Sequence, residues 1–162
     1  MVKSIRPATA ADIDAIKQIA IDTNMFELDD VGFFDEMITG FLDGTMERNH
    51  WLVVECEAAV VAAAYYAPEP FSDRMWNLYF ISVAPRHQGR GTGGLLLAHV
   101  EGELRASGDD VARVLIVETS SIDQYVRTRA FYVQHGYDEE ARIREFYGPD
   151  DHKVVFWKSL VS

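Results

Sequence analysis

Hydrophobic and polar positions follow two different periods along the first half of this 162-residue chain. Residues 2–6 alternate as a short strand does, whereas apolar residues recur at helical spacing from Ile13 to about residue 22. Residues 26–42 predict a second, less regular helix. Three further strands are predicted at residues 51–56, 59–66 and 75–83. The first half therefore predicts a strand, two helices and an antiparallel meander of three strands.

The second half continues with alternating helices and strands. Residues 91–107 predict a helix, and the continuous β-branched run at 111–117 predicts a buried central strand that ends at Glu118. A helix from about residue 122 or 126 to 135 is capped by Gly136, and residues 137–147 and 153–160 predict two final strands. The length predicts one domain, residues 1–162, of the mixed α/β class, with helices on both faces of a sheet.

A glycine-rich loop joins the third strand of the meander to the next helix. Four glycines fall within residues 89–94, and Arg86, His87 and Arg90 surround them. The first turn of a helix has unsatisfied N–H donors and a partial positive charge, so it attracts anions. Glycine lets a phosphate approach the backbone without a Cβ in the way. The loop therefore predicts a site for a phosphate-bearing ligand.

The same loop matches a dinucleotide-binding fingerprint literally. Gly89, Gly91 and Gly94 give G-x-G-x-x-G, and Glu118 follows a later apolar run. However, these glycines lie beyond Pro85, whereas the fingerprint begins where its strand ends. Only one helix and a hairpin follow Glu118, which is too little for a doubly wound sheet. A nicotinamide-dependent oxidoreductase is therefore the least favoured hypothesis.

Charge and cysteine content limit the partners and the compartment. The formal net charge of −11 predicts no binding to nucleic acid or to anionic membranes. Cys56 is the single cysteine, so no intrachain disulfide can form and a cytoplasmic location is expected. We find no export signal and no apolar run of membrane-spanning length in the sequence. His50 and His152 lack neighbours at metal-ligand spacing, so no metal site is predicted.

Two segments of the chain contain motifs of a known family. Residues 86–93, Arg-His-Gln-Gly-Arg-Gly-Thr-Gly, resemble the acyl-CoA pyrophosphate loop, Q/R-x-x-G-x-G/A, of the GNAT N-acetyltransferase superfamily. Residues 129–137, Arg-Ala-Phe-Tyr-Val-Gln-His-Gly-Tyr, resemble its later segment around Phe-Tyr and Gly-Phe/Tyr. The two segments occur in the family's order and spacing, with a hydrophobic strand between them.

The resemblance implies a GNAT-like acyl-CoA N-acyltransferase fold. Its mixed, mostly antiparallel sheet would have about seven strands, splayed at the two central strands, and about four helices. It also implies transfer of an acetyl group from acetyl-CoA to a primary amine in a ternary complex. Arg127 and Arg129 would lie near the 3′-phosphate or at the plain surface. The implied cofactor-binding residues are Ile81, Val83, Arg86, Gln88, Gly89, Arg90, Gly91, Thr92 and Gly93.

Tyr132 matches the family position of the phenol that protonates the departing thiolate, although it could be a core aromatic. Many relatives have a carboxylate on the strand before the loop, but this chain has no Asp or Glu there. Glu118 is the candidate base or cation-binding group, and the alternative is that it caps the following turn. Asn77 and Tyr79 could instead order a water chain.

The acceptor and the assembly state stay open at this stage. A cationic small molecule or a protein or peptide amine is expected, because acidic residues concentrate in the N-terminal region. A non-catalytic acyl-CoA-binding sensor on the same fold is the main alternative. A homodimer could form through the final strands, where Phe146, Phe156 and Trp157 offer apolar surface or form core. The acidic N-terminal residues are Glu27, Asp29, Asp30, Asp35 and Glu36.

Overall fold

The computed structural model describes residues 1–25 and 32–161 of the chain. These residues form four α-helices: α1 Ile13–Asp22, α2 Phe33–Leu42, α3 Thr92–Ala106 and α4 Val126–Gln134. Their seven strands are β1 Lys3–Pro7, β2 His50–Cys56, β3 Ala59–Pro68, β4 Met75–Val83, β5 Val114–Ser120, β6 Asp138–Gly148 and β7 Asp151–Ser159. The order of elements confirms the prediction. The part of α2 predicted before residue 32, and with it Glu27, Asp29 and Asp30, lies outside the described residues.

The strands form one mixed sheet in the order β1-β2-β3-β4-β5-β7-β6. The pairs β1–β2, β2–β3, β5–β7 and β6–β7 are antiparallel, whereas β4 and β5 are parallel. The parallel ladder runs from Met75 opposite Val114 to Leu78 opposite Val117. β4 continues beyond this ladder to Val83, and β5 continues to Ser120. The predicted mixed, mostly antiparallel sheet is therefore confirmed.

The chain divides into two compact units, and the first contains residues 1–67 and 80–100. Helices α1 and α2 bury Ile16 and Phe34 against the aromatic residues of the strands. The Phe34 ring lies edge-on to Trp51 and Phe80, with centroid distances of 5.7 and 5.3 Å. Successive residues of β2 are buried whichever side of the strand they occupy, so both faces of this part of the sheet are covered.

The second unit contains residues 68–79 and 101–162. Its core includes Tyr132 of α4, whose ring centroid lies 5.5 Å from that of Phe156 on β7. Phe156 is 1% exposed, so it belongs to the core and not to the apolar surface suggested for dimerisation. Gly136 follows α4 with a φ of 86°, the left-handed conformation predicted for its cap.

The first and last residues of β5 differ from the prediction. Residues 111–113 were predicted as strand, but the N–H groups of Val111 and Ala112 both donate to the Gly108 carbonyl at 3.0 Å. This turn delays the start of β5 to Val114, and pairing with β7 then continues to Ser120. Glu118 therefore lies inside the strand, and the prediction that it ends the strand was wrong.

The predicted start of α1 is fixed by an ionic contact. Asp12 Oδ2 accepts a hydrogen bond from Arg6 Nη1 at 2.8 Å and from the Thr9 N–H at 2.7 Å. The Arg6 hydrogen bond lowers the pKa of the Asp12 carboxyl below its ordinary value of 3.8. A lowered folded-state pKa stabilises the fold above the unfolded value, and this stabilisation is lost as pH falls through the folded value.

We expect Asp12→Asn to reduce the free energy of unfolding by about 1–2 kcal/mol at pH 7, because it removes the charge from this contact. The difference from wild type should shrink as the pH falls below about 4, where the unfolded-state carboxylate becomes protonated, and should vanish below the lowered folded-state pKa of Asp12. Urea unfolding at both pH values measures it. Asp14→Asn, at an exposed position in the same helix, is the matched control and should have a smaller effect. An unchanged deficit at low pH would contradict the ionic account.

Candidate functional site

The backbone of the glycine-rich loop has the form that an anion site needs. Gly89 and Gly91 have φ values of 72° and 78°, a conformation that favours glycine. A Cβ added at either position would meet no atom within 4 Å. The space beside both glycines is therefore open, directly before the first residue of α3, Thr92.

Donor groups at the start of α3 face this loop. The Leu95 N–H donates to the Gly91 carbonyl at 3.0 Å, in the i to i−4 pattern of the helix. The N–H groups of the four residues before Leu95 therefore have no carbonyl partner within the helix. Thr92 is 1% exposed, and among the described residues its Oγ1 has no hydrogen-bond partner. A buried hydroxyl without a partner is unusual and indicates a missing ligand or water. Together these groups can bind an anion.

The loop is attached to the strands by side chains. Gln88 Nε2 donates to the Val83 carbonyl at 2.9 Å, which ties the loop to the end of β4. Lys3 Nζ donates to the Arg90 carbonyl at 3.2 Å. Gln88 is one of the predicted cofactor-binding residues, whereas Lys3 is not, because an isolated lysine on β1 gives no signal in the sequence. Arg86 and Arg90 are exposed on the loop and add positive charge.

The second predicted site residue, Tyr132, is a buried phenol. It is 3% exposed, and its ring packs against Tyr137 and Phe156. No partner for its hydroxyl is found among the described residues. Burial raises the pKa of the Tyr132 phenol. The hydroxyl therefore keeps its proton at neutral pH and is available to a group outside the described chain.

Both oxygens of the third predicted site residue, Glu118, are engaged. Oε1 accepts a hydrogen bond from Asn77 Nδ2 at 3.0 Å, and Oε2 lies 2.7 Å from Lys153 Nζ. The two side chains of the ion pair are only 22% and 12% exposed. Lys153 Nζ also lies 3.4 Å from the ring centroid of Phe146. These contacts hold the Glu118 carboxylate in place, so capping of the following turn does not describe its role.

The Tyr132 side chain, on α4, and the Glu118 side chain, on β5, lie on opposite faces of the sheet. Phe156, which packs on Tyr132, is paired with Val117 of β5. Side chains of successive strand residues point to opposite faces, so Glu118 points away from α4. The phenol and the carboxylate therefore lie on opposite faces of the sheet.

A second carboxylate extends the site around Glu118. Asn77 Nδ2 also donates to Glu69 Oε2 at 3.0 Å, and the Tyr79 hydroxyl donates to the same oxygen at 2.9 Å. We call Glu69, Asn77, Tyr79, Glu118 and Lys153 the Glu118 cluster. Glu69 and Lys153 are not predicted from the sequence, because Glu69 lies in a loop and Lys153 in the final strand. Only the folded chain brings them together.

Two further tyrosines of the same unit have raised pKa values. Burial, followed by the charges of Glu118 and Asp151, raises the pKa of Tyr147 to about 12. Burial and then the charge of Asp151 also raise the pKa of Tyr125. The Glu118 cluster itself contains two carboxylates and the ring of Tyr79, and carboxylates and aromatic rings are the groups that bind organic cations.

The other candidates have structural contacts or lie apart from these groups. Arg129 Nη1 donates to the carbonyls of Ser120 and Ile122 at 2.8 and 2.9 Å, whereas Arg127 is exposed. Cys56 is a free, buried thiol in β2. Within residues 1–25 and 32–161, no three His, Cys, Asp or Glu side chains form a metal-binding group. None of the helices in those ranges has both the length and the apolar character needed to cross a membrane.

A protein-family model matches the chain directly. The model of the acetyltransferase (GNAT) domain matches residues 47–139. This range contains the glycine-rich loop, Glu118 and the segment around Tyr132. No curated protein matches the chain.

Solved structures share the fold over nearly the whole chain. A protein from Desulfovibrio desulfuricans assigned to the GNAT family has a TM-score of 0.90 and 27% identity, covering 99% of this chain and 100% of that one. The ribosomal-protein-S18-alanine N-acetyltransferase of Escherichia coli has a TM-score of 0.81 and 19% identity, with 99% and 96% covered. A Salmonella typhimurium protein described as an acetyltransferase, solved with acetyl-CoA, has a TM-score of 0.80 and 20% identity, with 100% and 96% covered.

Proposed function

The chain belongs to the GNAT acetyltransferase family, and on this basis we propose that it transfers the acetyl group of acetyl-CoA to a primary amine. The observation that carries the proposal is the open loop at Gly89 and Gly91, followed by the unpartnered hydroxyl of Thr92. A pyrophosphate needs this combination of close backbone approach and unpaired donors. The Salmonella typhimurium structure with acetyl-CoA supports the same ligand.

Different residues around the loop bind different parts of acetyl-CoA. The backbone amides from Gln88 to Gly93 bind the pyrophosphate, and the charges of Arg86 and Arg90 offset the acidic surface. The backbone of Ile81 and Val83, in the last residues of β4, binds the pantetheine arm. The Val83 carbonyl already accepts a hydrogen bond from Gln88 Nε2, which fixes the loop beside the end of β4. Arg127 is the remaining candidate for the 3′-phosphate.

Tyr132 is the general acid of the proposed reaction. Acetyl-CoA supplies the acetyl group as a thioester, so the coenzyme A thiolate is the leaving group. The raised pKa keeps the Tyr132 phenol protonated, and its hydroxyl has no competing partner among the described residues. The phenol donates its proton to the departing sulfur.

Glu118 prepares the attacking amine. An alkylamine with a pKa of about 10.4 is only about 0.04% neutral at pH 7, so its proton must be removed before attack. Asn77 and Lys153 hold the Glu118 carboxylate on the face opposite Tyr132, where it takes this proton through water. Transfer is direct, because Cys56 is only 3% exposed within β2 and no other nucleophile is indicated in residues 1–25 and 32–161.

We expect Glu118→Gln to lower kcat/KM for an amine by about tenfold at pH 7, because the amide cannot accept the proton. The loss should narrow as the pH approaches 10, where more of the amine is already neutral. Release of coenzyme A thiol, followed from pH 6 to 10, measures this effect.

A double variant separates the loss of the proposed base from the effect of leaving the Lys153 charge unpaired. Glu118→Gln leaves that ammonium without its carboxylate, whereas Glu118→Gln with Lys153→Met removes both charges. The double variant should stay as slow as Glu118→Gln. Recovery of wild-type activity in the double variant would show that the carboxylate only neutralises Lys153.

The same proposal extends to compartment and assembly. The free thiol of Cys56 suits a reducing cytoplasm. A homodimer through β6 is the proposed assembly, because β6 is the last strand of the sheet and Asp138–Tyr147 are exposed throughout. An exposed edge strand with Ile143 and Phe146 at its surface invites pairing with a second chain.

A further inference from the structure

One carboxylate of the Glu118 cluster has no cation among the described residues. Glu118 is neutralised by Lys153, whereas Glu69 is bound only by the neutral donors Asn77 and Tyr79. Both of these donors bond to Oε2 of Glu69, which leaves Oε1 free within the described chain. Glu69 is half-buried, so an uncompensated negative charge there favours a bound cation.

An independent observation also indicates a missing donor. Asn77 is 1% exposed, and its Oδ1 is buried without a hydrogen-bond partner among the described residues. If the side-chain amide of Asn77 were rotated to exchange its oxygen and nitrogen, its carbonyl oxygen would face the carboxylates of Glu69 and Glu118. These two carboxylates therefore fix the orientation of the amide. A buried acceptor without a donor requires completion by water or a ligand. An ammonium group would supply both the missing hydrogen-bond donor and a cationic partner for the Glu69 carboxylate.

The spacing of the two carboxylates defines the ligand. Both Nδ2 hydrogens of Asn77 are used, one for Glu69 Oε2 and one for Glu118 Oε1, each at 3.0 Å. Because these N–H bonds diverge by about 120°, the two oxygens lie about 5 Å apart. An acceptor whose reactive amine lies at Glu118 therefore presents its neighbouring atoms to Glu69 within a few bonds.

We infer that Glu69 binds a second cationic group of the acceptor, so the preferred substrate is a small diamine or a related amine with two positive charges. This inference rests on the proposed acetyl transfer and adds the acceptor class. Lys153 contributes to specificity by neutralising Glu118, which leaves Glu69 as the site for the non-reacting cation. Tyr79, whose hydroxyl donates to Glu69, provides aromatic surface for the methylene chain.

The test uses two probes that differ in one charge, 1,4-diaminobutane and 1-aminobutane. Calorimetric titration into the full chain saturated with coenzyme A measures their affinities without any reaction. We expect the diamine to bind at least about tenfold more tightly, and Glu69→Gln to remove this advantage. Glu57→Gln removes the same charge from an exposed turn of the other unit and should leave the diamine preference intact.

Equal affinities for the two probes in the wild-type protein, or unchanged diamine affinity in Glu69→Gln, would overturn the inference. Thiol release from acetyl-CoA with each probe gives a separate result for the proposed function. Diamine binding through Glu69 without thiol release would retain this site and refute acetyl transfer. Thiol release that is equal for both probes and unaffected by Glu69→Gln would support acetyl transfer and refute the cation site at Glu69.

Discussion

Gly91→Glu is expected to weaken acetyl-CoA binding by more than about a hundredfold. The substitution places a carboxylate in the open space before α3, where the pyrophosphate is proposed to bind. Like charges in contact at a binding site cost several kcal/mol, and each 1.4 kcal/mol corresponds to about a tenfold change in affinity. Calorimetric titration with acetyl-CoA measures the loss.

Gly44→Glu is a matched control for this variant. Gly44 has a φ of 75°, close to the 78° of Gly91, and a Cβ at either position meets no atom within 4 Å. Both variants should therefore lose about 1–2 kcal/mol of stability through the same left-handed backbone. Only Gly91→Glu should lose acetyl-CoA. Similar affinities in the two variants would contradict a cofactor site at the loop.

Tyr132→Phe is expected to lower kcat by about a hundredfold while leaving the affinity for acetyl-CoA unchanged. The substitution removes the proton proposed for the leaving sulfur, and general acid catalysis contributes at least about this factor. Stability should be unaffected, because the Tyr132 hydroxyl has no hydrogen-bond partner among the described residues. Steady-state thiol release and thermal unfolding measure the two quantities.

The neighbouring Tyr137 is the control for this prediction. Its hydroxyl donates to Glu101 at 3.0 Å inside the protein, and burial, followed by the Glu101 charge, raises its pKa. Tyr137→Phe should therefore reduce the free energy of unfolding by about 1–3 kcal/mol and leave kcat nearly unchanged. Full activity in Tyr132→Phe, or an equal loss in both variants, would refute Tyr132 as the acid.

The parts of the fold set by local pattern could be predicted from the sequence. The bounds of β4 and the core of α1 follow their hydrophobic periods, and Gly136 takes its expected left-handed form. β5 was misplaced because Val111 looks like strand in sequence, whereas the turn at Gly108 takes its N–H. That hydrogen bond depends on backbone geometry that hydrophobicity does not encode.

The glycine-rich loop and the Glu118 cluster also differ in how far they could be predicted from the sequence. The loop residues are adjacent in sequence, so their glycines and arginines already indicated an anion site. The Glu118 cluster joins Glu69, Asn77 and Lys153 from separate segments of the chain. Glu118 was identified by its position near a strand end, but the lysine that neutralises it became visible only through the pairing of β5 with β7.

Direct detection of product tests the central proposal, acetyl transfer to an amine, most simply. The full chain is incubated with acetyl-CoA and 1,4-diaminobutane, and mass spectrometry follows the amine and the protein while a thiol reagent follows coenzyme A. We predict equal amounts of acetylated amine and free thiol, formed only when both substrates are present, with no acetyl group on the protein. Acetyl-CoA binding without thiol release with any amine of a wider panel, or a stable acetylated protein, would contradict the proposal.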